Sequence, residues 1–122
     1  MKIAIPVNDN DSKTSVCQSF GRTPFFLIYD TESQKSTFVD NSAANSPGGA
    51  GIKAAQVIAD SGAGALITPR CGENAADVLR AAGIKIYKTV NASVKDNISA
   101  FNDGALPLLQ DIHAGFHGHG GL

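Results

Sequence analysis

Two stretches of this chain repeat one unit, a helix that stops at a glycine and hands over to a short apolar strand. Val57-Ile58-Ala59-Asp60-Ser61-Gly62 aligns with Val78-Leu79-Arg80-Ala81-Ala82-Gly83, and each is followed by a strand ending in threonine, Thr68 and Thr89. Glycine stops a helix because it enters left-handed backbone without a Cβ penalty. Two consecutive helix–strand units with right-handed crossovers set their strands parallel and adjacent. Two copies are too few for a solenoid, which needs three or more units to bury its faces. They are expected to be part of one open sheet.

The remaining elements complete that sheet. Lys2–Val7 and Phe25–Asp30 are apolar at strand length, Ser36–Asn41 is a weaker strand, and the polar connector 31–35 makes the last two a hairpin. Helical spacing begins after Pro47-Gly48-Gly49-Ala50-Gly51, with Ile52, Ala55 and Ala59 on the inner face and Gly62 as terminator. A second helix turns Ala75, Val78, Leu79 and Ala82 inward and stops at Gly83, and Ile84–Val90 is the next strand. Ser93 with Asp96 resembles a capping box for a third helix, with Val94, Ile98 and Phe101 inward and Gly104 at its end. The order β-β-β-α-β-α-β-α predicts an α/β fold, a three-layer α/β/α sandwich on a mixed five-stranded sheet with Lys2–Val7 central. Residues 1–110 are expected to form a single domain. Residues 111–122 hold all three histidines among glycines and are expected to be a flexible Gly/His-rich tail.

With 122 residues and a net charge of −1, the chain can bury a core and carries no electrostatic footprint for nucleic acid or an anionic membrane. The opening apolar run is too short for a signal peptide and no stretch approaches a membrane span, so a cytoplasmic location is expected. In a reducing compartment the two cysteines, Cys17 and Cys71, are not expected to form a disulfide.

Both cysteines sit where a strand opens into a loop. If the strands are parallel neighbours, the two thiols converge at the sheet rim where open α/β folds bind ligands. Their polar neighbours point to exposed sulfurs, with Arg70 and a following helix N-terminus favouring thiolate at Cys71. They are therefore read as a metal or cluster ligand pair, against the competing reading of inert buried thiols. No C-x-x-C is present, which removes a zinc ribbon or a thioredoxin-type site. The tail spacing H-x3-H-x-H, formed by His113, His117 and His119, suits a divalent metal ion; the bland alternative is a disordered polar terminus.

Other motifs carry less. Gly49-Ala50-Gly51-Ile52-Lys53-Ala54 matches G-x-G-x-x-A, but follows a hairpin strand rather than the first strand of a βαβ unit. Its glycines before a helix still expose N–H groups to an anionic ligand. Asp9 and Asp11, with Glu73 or Asp40, could be read as a two-Mg²⁺ carboxylate cluster, though on a turn they read better as turn formers. With every histidine in the tail, no Ser/His/Asp or Cys/His nucleophile set is apparent.

Several segments, in this order and spacing, resemble the dinitrogenase iron–molybdenum cofactor biosynthesis family. They are Met1–Val7, Phe20-Gly21-Arg22-Thr23-Pro24-Phe25-Phe26-Leu27-Ile28-Tyr29, Gly48-Gly49-Ala50-Gly51, Cys71-Gly72-Glu73-Asn74-Ala75 and Gly83-Ile84-Lys85-Ile86-Tyr87. The resemblance covers residues 1 to about 105. It implies a ribonuclease H-like topology and a carrier of iron–molybdenum cofactor or its precursors, or an orange-protein-like holder of a molybdenum–copper sulfide cluster. Many members carry a histidine just before the Phe-Gly pair, a candidate cluster ligand, where this chain has Ser19. Cys17 or the tail histidines would then supply the donor.

The combined expectation is a non-catalytic binding or carrier protein for a metal–sulfur cluster containing Fe, Mo or Cu, or its precursor. A cofactor-assembly or acceptor protein is its expected partner. The cofactor-binding candidates are Ser19, Phe20 and Arg22, then Gly48, Gly49 and Gly51, then Arg70, Gly72 and Asn74. Cys17 and Cys71 are the anchors, Arg22 and Arg70 neutralise an anionic cluster, and glycine-loop N–H groups bond its sulfides. The competing classes are a ribonuclease H-like or nucleotide-dependent enzyme, and an interaction module without a ligand.

Overall fold

β1 (Lys2–Val7) is buried from its second residue onward because it runs through the middle of the molecule with apolar side chains on both faces. In the computed structural model, which describes residues 1–109, it is joined by β2 (Phe25–Asp30), β3 (Ser36–Asp40), β4 (Ala65–Thr68) and β5 (Lys85–Lys88). The sheet order is β3-β2-β1-β4-β5. β2 is antiparallel to β1 and to β3, while β1, β4 and β5 are parallel. The mixed five-stranded sheet with β1 central is therefore as expected.

The three helices are α1 (Ala50–Asp60), α2 (Glu73–Ala81) and α3 (Val94–Asn102). α1 and α2 pack on one face against Ala4, Phe26, Ile28, Leu66 and Ile86. α3 packs on the other with Ile3, Ile5, Leu27 and Ile67. The alternation of side chains along each strand feeds both cores.

Tertiary packing corrects several details. α1 begins two residues before Ile52, and that side chain turns outward at 42% exposure; Ala54, Ala55 and Ile58 make the inner face. In α2 the inner residues are Ala75, Ala76 and Leu79, and Ala82 is exposed beyond the helix end. β5 is shorter than the apolar run 84–90 because Asn97 turns the chain away. Asn97 is fully buried, its Oδ1 accepts from the Val90 N–H at 2.8 Å, and its Nδ2 donates to Asn91 O and Ser93 O. The α3 cap is half a capping box. Ser93 Oγ accepts from the Asp96 N–H, but the Asp96 carboxylate takes a bond from Asn91 Nδ2 instead of reaching back to Ser93.

Pro6 opens one end of the sheet. The β1–β4 ladder pairs Ile3 with Ala65 and Ala4 with Leu66 and then stops, since Pro6 has no N–H to continue it. The vacated edge of β1 is taken by the returning loop. Val7 is flanked by Phe25 on one side and bridges Val16 on the other, and Pro6 O accepts from the Cys17 N–H at 2.8 Å.

Candidate functional site

At this splayed end the loops after β1 and β4, and the loop entering α1, surround a cleft of about 750 Å³. All nine cofactor-site candidates from Ser19 to Asn74 line it, and so does Cys71. Three segments, far apart in sequence, meet because each leaves the sheet at the same end.

The first wall is Ser19–Arg22. Phe20 is buried against Phe26 with ring centroids 5.5 Å apart, which pins the loop to the core. Asn41, just past β3, is the positioning residue. Its buried Nδ2 donates to Gly21 O at 3.0 Å and Thr23 O at 2.9 Å, while its Oδ1 caps the 3₁₀ turn Ser42–Asn45 through the Ala43 N–H. Arg22 Nη1 donates to Ala44 O and Ser46 O, both at 3.0 Å. Arg22 is thus a strut between two walls as well as a source of charge.

The second wall is Pro47–Ile52. Ser46 Oγ donates to Gly48 O at 2.8 Å and accepts from Lys53 Nζ at 2.8 Å, so the loop closes on its own helix. Gly49 caps α1 at φ +69°, and a Cβ on Gly48 or Gly49 would meet nothing within 4 Å. The third wall is Arg70–Ala75, where Thr68 Oγ1 donates to Arg70 O at 2.9 Å and fixes the turn into α2.

Neither Gly49 nor Gly72, the N-cap residues of α1 and α2, makes a side-chain capping bond. Two helix starts border the same cleft with no side-chain acceptor from their caps, an arrangement that favours anions through N–H groups and helix dipoles. Arg22 and Arg70 add positive charge, and Glu73 in the first turn of α2 opposes it.

The cysteines depart from expectation. Cys71 is 1% exposed and sits in the core under α1 and α2, its Sγ directed at Gly72 O at 3.6 Å. Burial pushes its thiol up from 9.0 to about 11, with Arg80 pulling weakly the other way. Desolvation outweighs the Arg80 charge and favours the neutral thiol, so the buried Cys71 differs from the exposed thiolate expected from its neighbours. Cys17 is half-buried and does not line the cleft. Among the described residues no group of three or more His, Cys, Asp or Glu side chains is arranged to hold a metal ion.

His113, His117 and His119 lie outside the described residues. The point of departure of their segment is defined. Lys88 N–H bonds Pro107 O and Leu109 N–H bonds Ile86 O, so residues 107–109 run antiparallel to β5. The chain therefore passes Leu109 heading away from the cleft end of the sheet.

Sequence reasoning missed Asn41, read as a strand residue, and the contribution of Ile52 to the cleft, read as an inward helix residue. An Asn followed by Ser at the end of a strand is a recognisable cap signal.

Several solved structures share this fold. The apo form of the orange protein from Desulfovibrio gigas is 35% identical with a TM-score of 0.84, covering 88% of this chain and 92% of that one. A NifB-like protein from Thermotoga is 36% identical with a TM-score of 0.78, covering 91% and 95%. An uncharacterized protein of Methanocaldococcus jannaschii is 32% identical over 109 residues, 87% of this chain and 89% of the relative. Residues 1–104 match the model of a family described as dinitrogenase iron-molybdenum cofactor, and the chain belongs to that family.

Proposed function

We propose that this protein is a non-catalytic carrier that holds an anionic metal–sulfur cluster, iron–molybdenum-cofactor-like or otherwise molybdenum-containing, or its precursor. The observation that carries the reading is the pair of helix N-termini, uncapped by side chains and opening on one cleft beside Arg22 and Arg70. Sulfide is a large, soft, anionic acceptor, and backbone N–H groups with two guanidinium groups suit it. The bare backbone at Gly48 and Gly49 lets a cluster approach closely. The family description supports a metal cofactor as the cargo.

Holding by hydrogen bonds and charge fits these residues better than a thiolate cage, because Cys71 is buried and desolvation disfavours its thiolate. Cys17 and the tail histidines remain the donors that could add a direct bond. The protein would work in the cytoplasm, receive cargo from a cofactor-assembly protein and pass it to an acceptor. We also read the strand order β3-β2-β1-β4-β5 as ribonuclease H-like.

The test is anaerobic purification followed by absorption spectroscopy and elemental analysis, then titration of the cargo-free protein with tetrathiomolybdate. Sulfide-to-metal charge-transfer bands that saturate near one equivalent are expected. Turnover of nucleic acid or nucleotide with Mg²⁺, and no retention of the sulfide anion, would place the cleft in an enzyme instead.

A further inference from the structure

The second large depression lies on the opposite face of the sheet, where the outer layer is incomplete. Among the described residues α1 and α2 both cover one face, whereas α3 alone covers the other. Phe101 of α3 stacks edge-on against Tyr87 of β5 with centroids 5.4 Å apart, which draws the helix toward the β4–β5 side. A groove of about 830 Å³ is left over β2 and β3. Its floor is Leu27, Tyr29 and Phe38, with Leu27 and Phe38 paired across the two strands. Val94 and Ile98 form one wall, and the loop Ser12–Ser15 forms the other.

An apolar sheet face beside a single helix is where a layered α/β fold accommodates a second helix. The rim chooses the kind of helix. Lys13 and Lys95 are both exposed and line the groove, and among the described residues no carboxylate lines it. Four acids adjoin lining residues in sequence without lining the groove, namely Asp11, Asp30, Asp96 and Asp103; Asp11 accepts from the Lys13 backbone N–H at 2.8 Å, and Asp96 from Asn91 Nδ2 at 3.0 Å. Both lysines stand at the end of the groove where Ser15 bridges Ser93, and the far end is lined by Gln34 and Asn102. We propose that this groove docks an amphipathic helix of a partner protein, apolar on one side and carrying carboxylates at the end that meets Lys13 and Lys95. A second copy fits poorly, since two concave faces do not fill each other. The groove is also joined to the cleft, because the strap Ser12–Val16 runs directly into Cys17–Arg22.

The test uses the full ¹⁵N-labelled chain and two synthetic helices of about 15 residues, long enough to hold helical structure. They share one apolar face and differ in carrying Glu or Lys at the flanking positions. Shift changes at Ser15, Tyr29, Phe38, Lys95 and Ile98 are expected with the acidic peptide, and about fivefold weaker binding of the basic one. Lys13→Glu combined with Lys95→Glu should reverse the order. Equal binding of the two peptides, or changes mapping outside the groove, would overturn the proposal. So would concentration-dependent self-association through these residues, or markedly tighter peptide binding after removal of residues 111–122, which would make the chain's own terminus the occupant.

Discussion

Gly21 and Gly51 meet backbone to backbone: a Cβ on Gly21 would stand 3.0 Å from the amide nitrogen of Gly51 and 3.2 Å from its Cα. The first wall of the cleft therefore rests directly on the start of α1. Neither backbone can yield without moving a wall or a helix. Gly21→Ala is expected to lower stability by about 1–3 kcal/mol through overpacking. Gly51→Ala meets only Ala75 Cβ at an ordinary 3.5 Å and should be neutral, or stabilising by up to about 1 kcal/mol. Urea melts of the two variants check the asymmetry; equal losses would contradict it.

The Asn41 side chain closes three bonds to the loops around the cleft. Asn41→Ala leaves two carbonyls and one N–H without that partner in a buried setting, at a cost of about 1–3 kcal/mol. It should also loosen tetrathiomolybdate binding, because Gly21 loses its tether. Asn41→Asp should recover only the acceptor half, and denaturation and titration together separate the two effects.

Cys71 makes stability depend on alkaline pH. Burial raises its folded-state pKa to about 11 from 9.0, so on raising the pH the unfolded chain releases the proton first. The contribution is fully present below about pH 9 and is lost as the pH rises toward about 11. Cys71→Ala should flatten this part of the pH–stability curve. At pH 8 a thiol reagent should modify Cys17 in the native protein and reach Cys71 only on unfolding. Rapid modification of both would show that Cys71 is not shielded.

Arg70 is exposed at the cleft mouth and can be reversed without disturbing the core. Arg70→Glu is expected to weaken tetrathiomolybdate binding by about tenfold or more while leaving the melting curve within about 0.5 kcal/mol. Gly48→Glu, at a position with open space above it, should act in the same direction. Unchanged affinity in both would argue that the cleft is not the cargo site.

Contour length beyond Leu109 bounds how far each histidine can reach. At about 3.3 Å per residue, His113 lies within about 13 Å of Leu109, His117 within about 26 Å and His119 within about 33 Å. Replacing His113, His117 and His119 together by Ala should reduce metal uptake, and unchanged uptake would show the three histidines to be bystanders. Removing residues 111–122 should leave stability unchanged, since Leu109 keeps its buried place and its bond to Ile86.

Much of the fold was legible from local chemistry. Lys2–Val7, Phe25–Asp30 and Ala65–Thr68 have the bounds their apolar runs suggest, and Gly62, Gly83 and Gly104 take positive φ at the helix ends. The meeting of the three glycine- and arginine-bearing segments followed from topology, because the strands that feed them leave the sheet at one end. Such features depend on neighbours a few residues away, and a one-dimensional pattern records those.

Packing between distant segments decided the rest. Whether Ile52 faced inward depended on how α1 lies against α2 and the loop at Gly21, and only their contact turned it out. Whether Cys71 stood exposed or buried depended on solvent exclusion by two helices, and desolvation there raises its pKa against the pull of Arg80. The route of residues 107–109 along β5 likewise rests on a pairing across about twenty residues of chain. Periodicity determines which residues seek the interior; the depth and direction of each side chain come from the surfaces that close over it.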